Sequence, residues 1–166
     1  NHMEVEDCFI LGDFAVSLPD RSIIAEKDTI YFGDWCFQGY PHYAGSIIYK
    51  DTLDVELKTG ERVFVRLGDY SAVNIAVWVN QKLAGHIPWK AANGLDITEY
   101  LVNGSNEIGI EVVSSPRNML GPFHRKAGYQ PWTDARSFRT TGAYYTDSYV
   151  LWRWGLQDPV TFCKKS

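Results

Sequence analysis

A two-residue hydrophobic period recurs between residues 47 and 112, and it limits what this chain can fold into. Ile47, Tyr49, Leu53, Val55 and Leu57 share one parity, broken only by Asp51. The pattern returns in Val63, Val65 and Leu67 after the turn Lys58-Thr59-Gly60-Glu61, and in Val73, Ile75, Val77 and Val79 after Gly68-Asp69. Ile108, Ile110 and Val112 carry it once more beyond Asn103-Gly104-Ser105-Asn106. Side chains alternate between the two faces of a strand, so each segment reads as a strand with one dry face. Many short strands separated by turn signals predict an all-β protein, a two-sheet antiparallel β-sandwich. Further strands are predicted over 8–16, over 83–85 after Asn80-Gln81-Lys82, and over an aromatic-rich closing stretch at 144–156. A single helical turn is expected, with Thr98 capping Glu99-Tyr100-Leu101 and Gly104 ending it. Helix is expected to make up under about a tenth of the chain.

One stretch escapes the period. Residues 114–143 hold Pro116, Gly121, Pro122, Gly128, Pro131 and Gly142. A loop of that length in a compact domain is functional or packs back on the sandwich. The 166 residues, 45% of them hydrophobic, suffice for one core without staples. Asn1-His2-Met3 reads as a cloning remnant, and 4–166 as a single domain taken from a larger protein. The cysteines, Cys8, Cys36 and Cys163, are odd in number and widely spaced, which gives neither a disulfide framework nor a zinc pattern. All three are expected to be reduced, although terminal strands often pair and would make Cys8 and Cys163 neighbours. The net charge is −4 and no Lys/Arg run exists, which argues against a nucleic-acid partner. No apolar stretch approaches the roughly 20 residues of a membrane-spanning helix.

Several motifs then resemble a known group. Val79-Asn80-Gln81-Lys82-Leu83-Ala84-Gly85 is similar to a hairpin of sugar-binding jelly rolls. Leu95-Asp96-Ile97-Thr98-Glu99-Tyr100-Leu101 followed by Asn103-Gly104-Ser105-Asn106-Glu107-Ile108-Gly109-Ile110-Glu111-Val112 resembles the signature of the N-terminal sugar-binding domain of glycoside hydrolase family two. Gly39-Tyr40-Pro41-His42-Tyr43-Ala44-Gly45 with Tyr49, and the run from Arg117-Asn118 through Leu120-Gly121-Pro122 to His124, resemble the C-terminal domains of large rhamnosidase-like proteins. The ordered matches span about residues 31–156. The resemblance implies a galactose-binding-like jelly roll serving as a non-catalytic carbohydrate-binding or accessory module of a larger glycoside hydrolase. It also implies a secreted or periplasmic parent. The partners would be plant or bacterial polysaccharide side chains or oligosaccharides, and other domains of the same enzyme. The alternative is a purely structural domain that braces a catalytic barrel or forms a protein–protein interface.

The chemistry in the sequence agrees with a non-catalytic role. Glycoside hydrolysis needs two carboxylates about 5–10 Å apart. Asp51, Asp54, Glu56, Glu61, Asp69, Glu107 and Glu111 are scattered over strand and turn positions, mostly alternating with apolar residues. There is no nucleophile elbow, no histidine pair with zinc spacing and no Asp-rich calcium loop, so no cofactor or metal is expected. Sugar binding asks for aromatic faces and planar hydrogen-bonding side chains, which three loops offer. The first holds Trp35, Tyr40, His42 and Tyr43. The second holds His86, Trp89, Lys90 and Asn93. The third holds Arg117, Asn118, His124, Arg125, Trp132 and Asp134. The candidate carbohydrate-binding residues are Trp89, Trp132, Arg117, Asn118, His124, Tyr43 and His42. The site is expected where the Trp89 loop meets the 114–143 loop, with Arg117 and His124 as polar partners and Trp89 or Trp132 as the stacking face. The plainer role for Tyr40 and Tyr43 is packing, and for Arg117 and Asn118 it is tying the long loop to the sandwich. Trp78, Trp152 and Trp154 are expected to pack on strands.

Overall fold

A computed structural model describes residues 8, 10–92, 94–126 and 133–166. Its strands, in chain order, are β1 (Ala15–Ser17), β2 (Ser22–Ile24), β3 (Ser46–Val55), β4 (Arg62–Arg66), β5 (Tyr70–Ser71) and β6 (Asn74–Val79). They continue with β7 (Lys82–Ile87), β8 (Gly94–Asp96), β9 (Gly104–Val113), β10 (Gly155–Leu156) and β11 (Thr161–Lys165). All pairings are antiparallel. One sheet has the order β3-β9-β6-β7. Facing it are β11-β4-β8 and the short pair β10-β5, while β1 and β2 form a separate hairpin. The alternating residues meet between the layers: Val63 and Val65 from β4, Ile75, Val77 and Val79 from β6, and Ile108, Ile110 and Val112 from β9 are all buried. Burying these apolar faces is what drives the two layers together, at about 25 cal/mol for each Å² removed from water. The two-sheet antiparallel sandwich expected from the sequence is therefore the observed architecture.

The turn chemistry accounts for the register of the large sheet. Asn80 and Gln81 both adopt positive φ, 49° and 65°, as a two-residue hairpin turn between β6 and β7 requires. The Asn80 amide also reaches across the sheet. Its Nδ2 donates to Asn106 Oδ1 (2.9 Å), and its Oδ1 accepts from the Glu107 N–H (3.0 Å). Asn106 is 1% exposed and uses its own Nδ2 on the carbonyls of Val102 and Gly104 (2.8 and 2.9 Å), while its Oδ1 accepts from the Val102 N–H (2.8 Å). A buried amide satisfied at every atom fixes one arrangement of the turn before β9.

Two predicted strands are corrected. Of residues 8–16 only the end pairs, as β1, after Gly12-Asp13 interrupts the apolar run. The stretch 144–156 is not a closing strand except at Gly155–Leu156. Its N–H groups go to scattered partners instead of a neighbouring strand: Thr146 to His124 O, Val150 to Phe123 O, Trp152 to Asn118 Oδ1 and Trp154 to Asp34 Oδ1. The closing strand is β11, hydrogen-bonded to β4. The expected turn near Thr98 exists as a 3-10 turn, Thr98–Tyr100, but Thr98 does not cap it. Among the described residues there are four further short helical pieces, including one α-helical turn, α1 (Arg117–Leu120), inside the long loop. Cys8 and Cys163 are free thiols, as is the buried Cys36.

Gly155 decides how the last segment seats. Its φ is +104°, and a Cβ there would lie 2.4 Å from Trp35 Nε1 and 2.9 Å from Gly33 O. Only glycine admits the fully buried Trp35, whose Nε1 donates to Tyr49 Oη at 2.8 Å.

Candidate functional site

The β7–β8 connection carries Pro88, Trp89 and Lys90 out of the core, just after the buried Ile87. Trp89 is left 63% exposed. Opposite it run Trp152, Arg153 and Trp154, held in an extended course by the bonds just described. Trp154 is buried, whereas Trp152 is 55% exposed although it shares the parity of Trp154, because this segment does not pair as a regular strand. Between these walls lies a groove of about 460 Å³, floored by Tyr70, Ala72 and Ile87 and reaching Ser115. Volumes of about 300–1,000 Å³ are typical of small-molecule sites.

The polar groups of the groove are tied together by Asp69, at its edge. Lys90 Nζ donates to Asp69 Oδ1 (2.6 Å) and Arg153 Nη2 to Oδ2 (2.8 Å). The Lys90 bond, followed by the field of Arg153, holds the Asp69 carboxyl below the usual carboxylate range. Lys90 also lies 5.6 Å from the centre of the Tyr70 ring. No Asp or Glu lines the groove among the described residues, and Asp69 has both oxygens engaged. The arrangement offers aromatic faces and fixed cationic donors, and it lacks a carboxylate pair.

The predicted site residues divide into three places. Trp89 lines the groove, and Arg117 joins it indirectly, with its guanidinium carbon 5.5 Å from the Trp152 ring centre. Burial pushes the Arg117 pKa down, and its Nη1 is buried without a hydrogen-bond partner. Asn118 is fully buried and serves as a tie. Its Nδ2 donates to Trp152 O (2.6 Å) and its Oδ1 accepts from Trp152 N–H (2.8 Å). That leaves it no surface to offer a ligand, because burial and both bonds engage the whole amide.

His42 and His124 belong to an aromatic cluster behind the groove. His42 Nδ1 donates to Asn118 O (2.7 Å) and His124 Nδ1 to Thr146 O (3.1 Å); a carbonyl only accepts, so both nitrogens carry the proton. The His42 ring packs on Phe123 and Tyr149, with centroids at 5.6 and 6.2 Å, and His124 packs on Tyr149 at 5.0 Å. Tyr43 lies on another face, where its hydroxyl donates to Ser46 O (2.9 Å) and its ring meets Trp35 and Tyr40 edge-on. Trp132 and Asn93 lie outside the described residues. Among the described residues, the structure thus brings the Trp89 loop against the start of the 114–143 loop, at Ser115, and it supplies the second tryptophan from residue 152.

The sequence context of Trp152 predicts packing, and its exposure corrects that. Trp78 is half-buried, with Nε1 donating to Glu111 Oε2 at 2.9 Å, and Trp154 is buried as expected. A signal for Trp152 existed. Val150, Leu151, Trp152 and Trp154 are apolar at both parities, whereas a one-faced strand alternates. Among the described residues no group of three or more His, Cys, Asp or Glu could hold a metal ion. No described helix is long and apolar enough to cross a membrane.

No protein-family model and no curated protein matches the chain. Solved structures do. A rhamnosidase from Novosphingobium sp. PP1Y aligns over 75% of this chain and 11% of its own, at 24% identity and a TM-score of 0.53. An FMN-binding beta-glucuronidase from Facaelibacterium prausnitzii L2-6 aligns over 91% of this chain and 21% of its own, at 21% identity and TM-score 0.47. A beta-D-glucuronidase of Dictyoglomus thermophilum aligns over 78% and 22%, at 19% and 0.44. The last two fall below a TM-score of 0.5 and add no argument. This chain spans about a tenth to a fifth of the chains it resembles, and it has the fold of a segment making up 11% of the Novosphingobium rhamnosidase.

Proposed function

We propose that the chain is a non-catalytic, carbohydrate-binding accessory domain of a larger glycoside hydrolase, of galactose-binding-like jelly-roll type, and that the Trp89–Trp152 groove is its sugar site. The likeness of fold to a segment of a rhamnosidase supports the accessory role. One observation carries the binding site: two half-exposed tryptophans from distant parts of the chain, 89 and 152, line a single groove with fixed cationic donors. Exposed tryptophan costs solvation unless something covers it, and a pyranose C–H face is a fitting cover. Lys90 and Arg153 are held by Asp69, so a sugar hydroxyl would meet donors already in position. That no carboxylate lines the groove among the described residues supports the non-catalytic reading.

The test is a glycan array followed by titration calorimetry. Affinity in the range of about 10⁻³ to 10⁻⁵ M is expected. Trp89→Ala or Trp152→Ala should weaken it by about 1–3 kcal/mol. Binding unchanged in both folded variants would overturn the site. Turnover of aryl glycosides of rhamnose, galactose, glucose or arabinose, lost on mutating one acid of this chain, would overturn the non-catalytic reading.

A second reading has its own observation. On another face, Leu11, Phe14, Ile23, Met119, Leu120 and Phe123 line an apolar groove of about 770 Å³, with Leu11 and Leu120 strongly exposed. Such a patch suits packing against another domain. An array without hits, together with association of this chain with the rest of its parent enzyme, would favour that bracing role.

A further inference from the structure

The long loop builds another, smaller cleft that the sugar reading leaves unused. Residues 124–126 and 144–146 run antiparallel. The Lys126 N–H donates to Tyr144 O (2.9 Å), the Thr146 N–H donates to His124 O (2.9 Å), and Arg125 forms a bridge with Tyr145. The 3-10 turn Ala135–Phe138 makes the other wall. Its capping residue Asp134 accepts from the Arg136 and Ser137 N–H groups (2.9 and 3.1 Å). The same carboxylate accepts from Arg136 Nε and Nη2 (3.1 and 3.0 Å), which fixes that guanidinium as well as the turn. Between the walls lies a pocket of about 240 Å³, lined by His124, Arg125, Arg136, Ser137, Arg139 and Tyr145 among others.

The charge of this lining differs from the balance of the whole chain. The chain has 20 acidic residues against 16 Lys and Arg, yet three arginines and no Asp or Glu line the pocket among the described residues. The nearby carboxylates are engaged elsewhere: Asp134 with the turn and Arg136, and Asp147 with Tyr145, whose pKa it raises. Asp134 offsets the charge of Arg136, but Arg125 and Arg139 add positive charge to the same small space, and an anion between them is favoured. The planar fork of arginine matches the two oxygens of a carboxylate, sulfate or phosphate. The volume lies below the range of about 300–1,000 Å³ that takes drug-sized ligands. It suits a compact anion or one acidic ring, and it is too small for a chain of sugars.

The geometry points to an oxyanion site in this cleft, which holds the carboxylate or sulfate group of a small acidic molecule. Arg139 is the forked donor from one wall, where Arg136 has its own fork on Asp134 and adds only its remaining N–H groups, with Arg125 and His124 on the other. The site is independent of the tryptophan groove, which would recognise ring faces instead of charge. It also gives the long loop a second, electrostatic selectivity that a neutral glycan cannot report.

The experiment uses the whole chain, labelled with ¹⁵N, at low ionic strength. Sodium glucuronate, sodium sulfate and glucose are titrated in turn. The expected result is saturable shifts with glucuronate at amides of 124–126, 135–139 and 142–145, and none there with glucose. Arg139 is exposed, so Arg139→Gln should keep the fold, which circular dichroism checks. That variant should weaken glucuronate at least tenfold, and Arg139→Lys should recover only part of the loss. Trp89→Ala should leave these shifts unchanged, which separates this site from the groove. Glucuronate binding tighter than sulfate identifies an acidic saccharide as the source; sulfate as tight or tighter identifies a free inorganic oxyanion, and both support the site. No saturable response to either anion, or an equal response in Arg139→Gln, overturns it.

Discussion

Asn118 offers the sharpest test of how the groove is held. Its amide joins α1 to the extended 152–154 segment through two bonds with the Trp152 peptide, 2.6 and 2.8 Å long, and its Nδ2 also contacts Cys36 Sγ at 3.5 Å. Asn118→Ala removes two net hydrogen bonds, each of about 0.5–1.5 kcal/mol. It also leaves the Trp152 N–H without a partner and its C=O with the Cys36 thiol alone, beside a cavity, a further loss of about 1–3 kcal/mol. The expected destabilisation is about 2–6 kcal/mol, read by urea unfolding with tryptophan fluorescence. Asn118→Asp keeps an acceptor for the N–H but sets a carboxylate against the Trp152 carbonyl in a fully buried place, so it should be at least as damaging. Because Trp152 hangs on this amide, glycan affinity should fall in any Asn118 variant that still folds, although Asn118 does not reach the groove surface. An Ala variant within about 0.5 kcal/mol of the parent would refute the tie.

Other expectations follow from single positions. Gly155→Ala should cost about 3 kcal/mol or more, since its Cβ would overlap Trp35, whereas Gly60→Ala, at φ +89° with open space around it, should cost only about 1 kcal/mol; thermal melts compare them. Burial, reinforced by the charge of Asp34, pushes the Cys36 thiol up to about 12, so iodoacetamide at pH 8 should modify the exposed Cys8 and spare Cys36 in the native protein, as mass spectrometry would show. Asp69 has a lowered pKa in the folded state, so its contribution to stability is present above the ordinary carboxylate value of about 3.9 and is lost as the pH falls through the lowered one. Parent and Asp69→Asn should therefore differ in Tm at pH 7 and converge in acid.

The sandwich was legible because its signal is local. Val63 and Val65, Ile75 and Val77, and Ile108 and Ile110 recur at every second position between turn signals, and the structure buries each of them. Asn80 and Gln81 announced a turn by their chemistry, and both take the positive φ it needs. The site was half legible. Trp89 stood out as an aromatic between Pro88 and Lys90, but its companion Trp152 was hidden in an apolar run that looked like a strand. That run is not one because its partners are Asn118 and Asp34, side chains more than thirty residues away that no local pattern reveals. Asn118 looked like a ligand residue for the same reason: an amide in a loop reads as available until its neighbours are known. The basic cleft went unseen because Arg125, Arg136 and Arg139 are separated in sequence and only the fold of the loop gathers them.

The order β11-β4-β8 has a consequence for synthesis. The large sheet is complete once Val113 has emerged, and both of its inner strands have their partners by then. Strand β4, made early, gains β8 on one side and must wait for Thr161–Lys165 on the other. Until then a growing chain presents an unpaired edge whose inward residues, Val63 and Val65, are destined for the core. Such an edge is a template for strands of other chains. Strand β11 therefore acts as the closure that ends the exposure of this sandwich to its neighbours, and translation that stalls between β10 and β11 should yield aggregates instead of a loosened monomer.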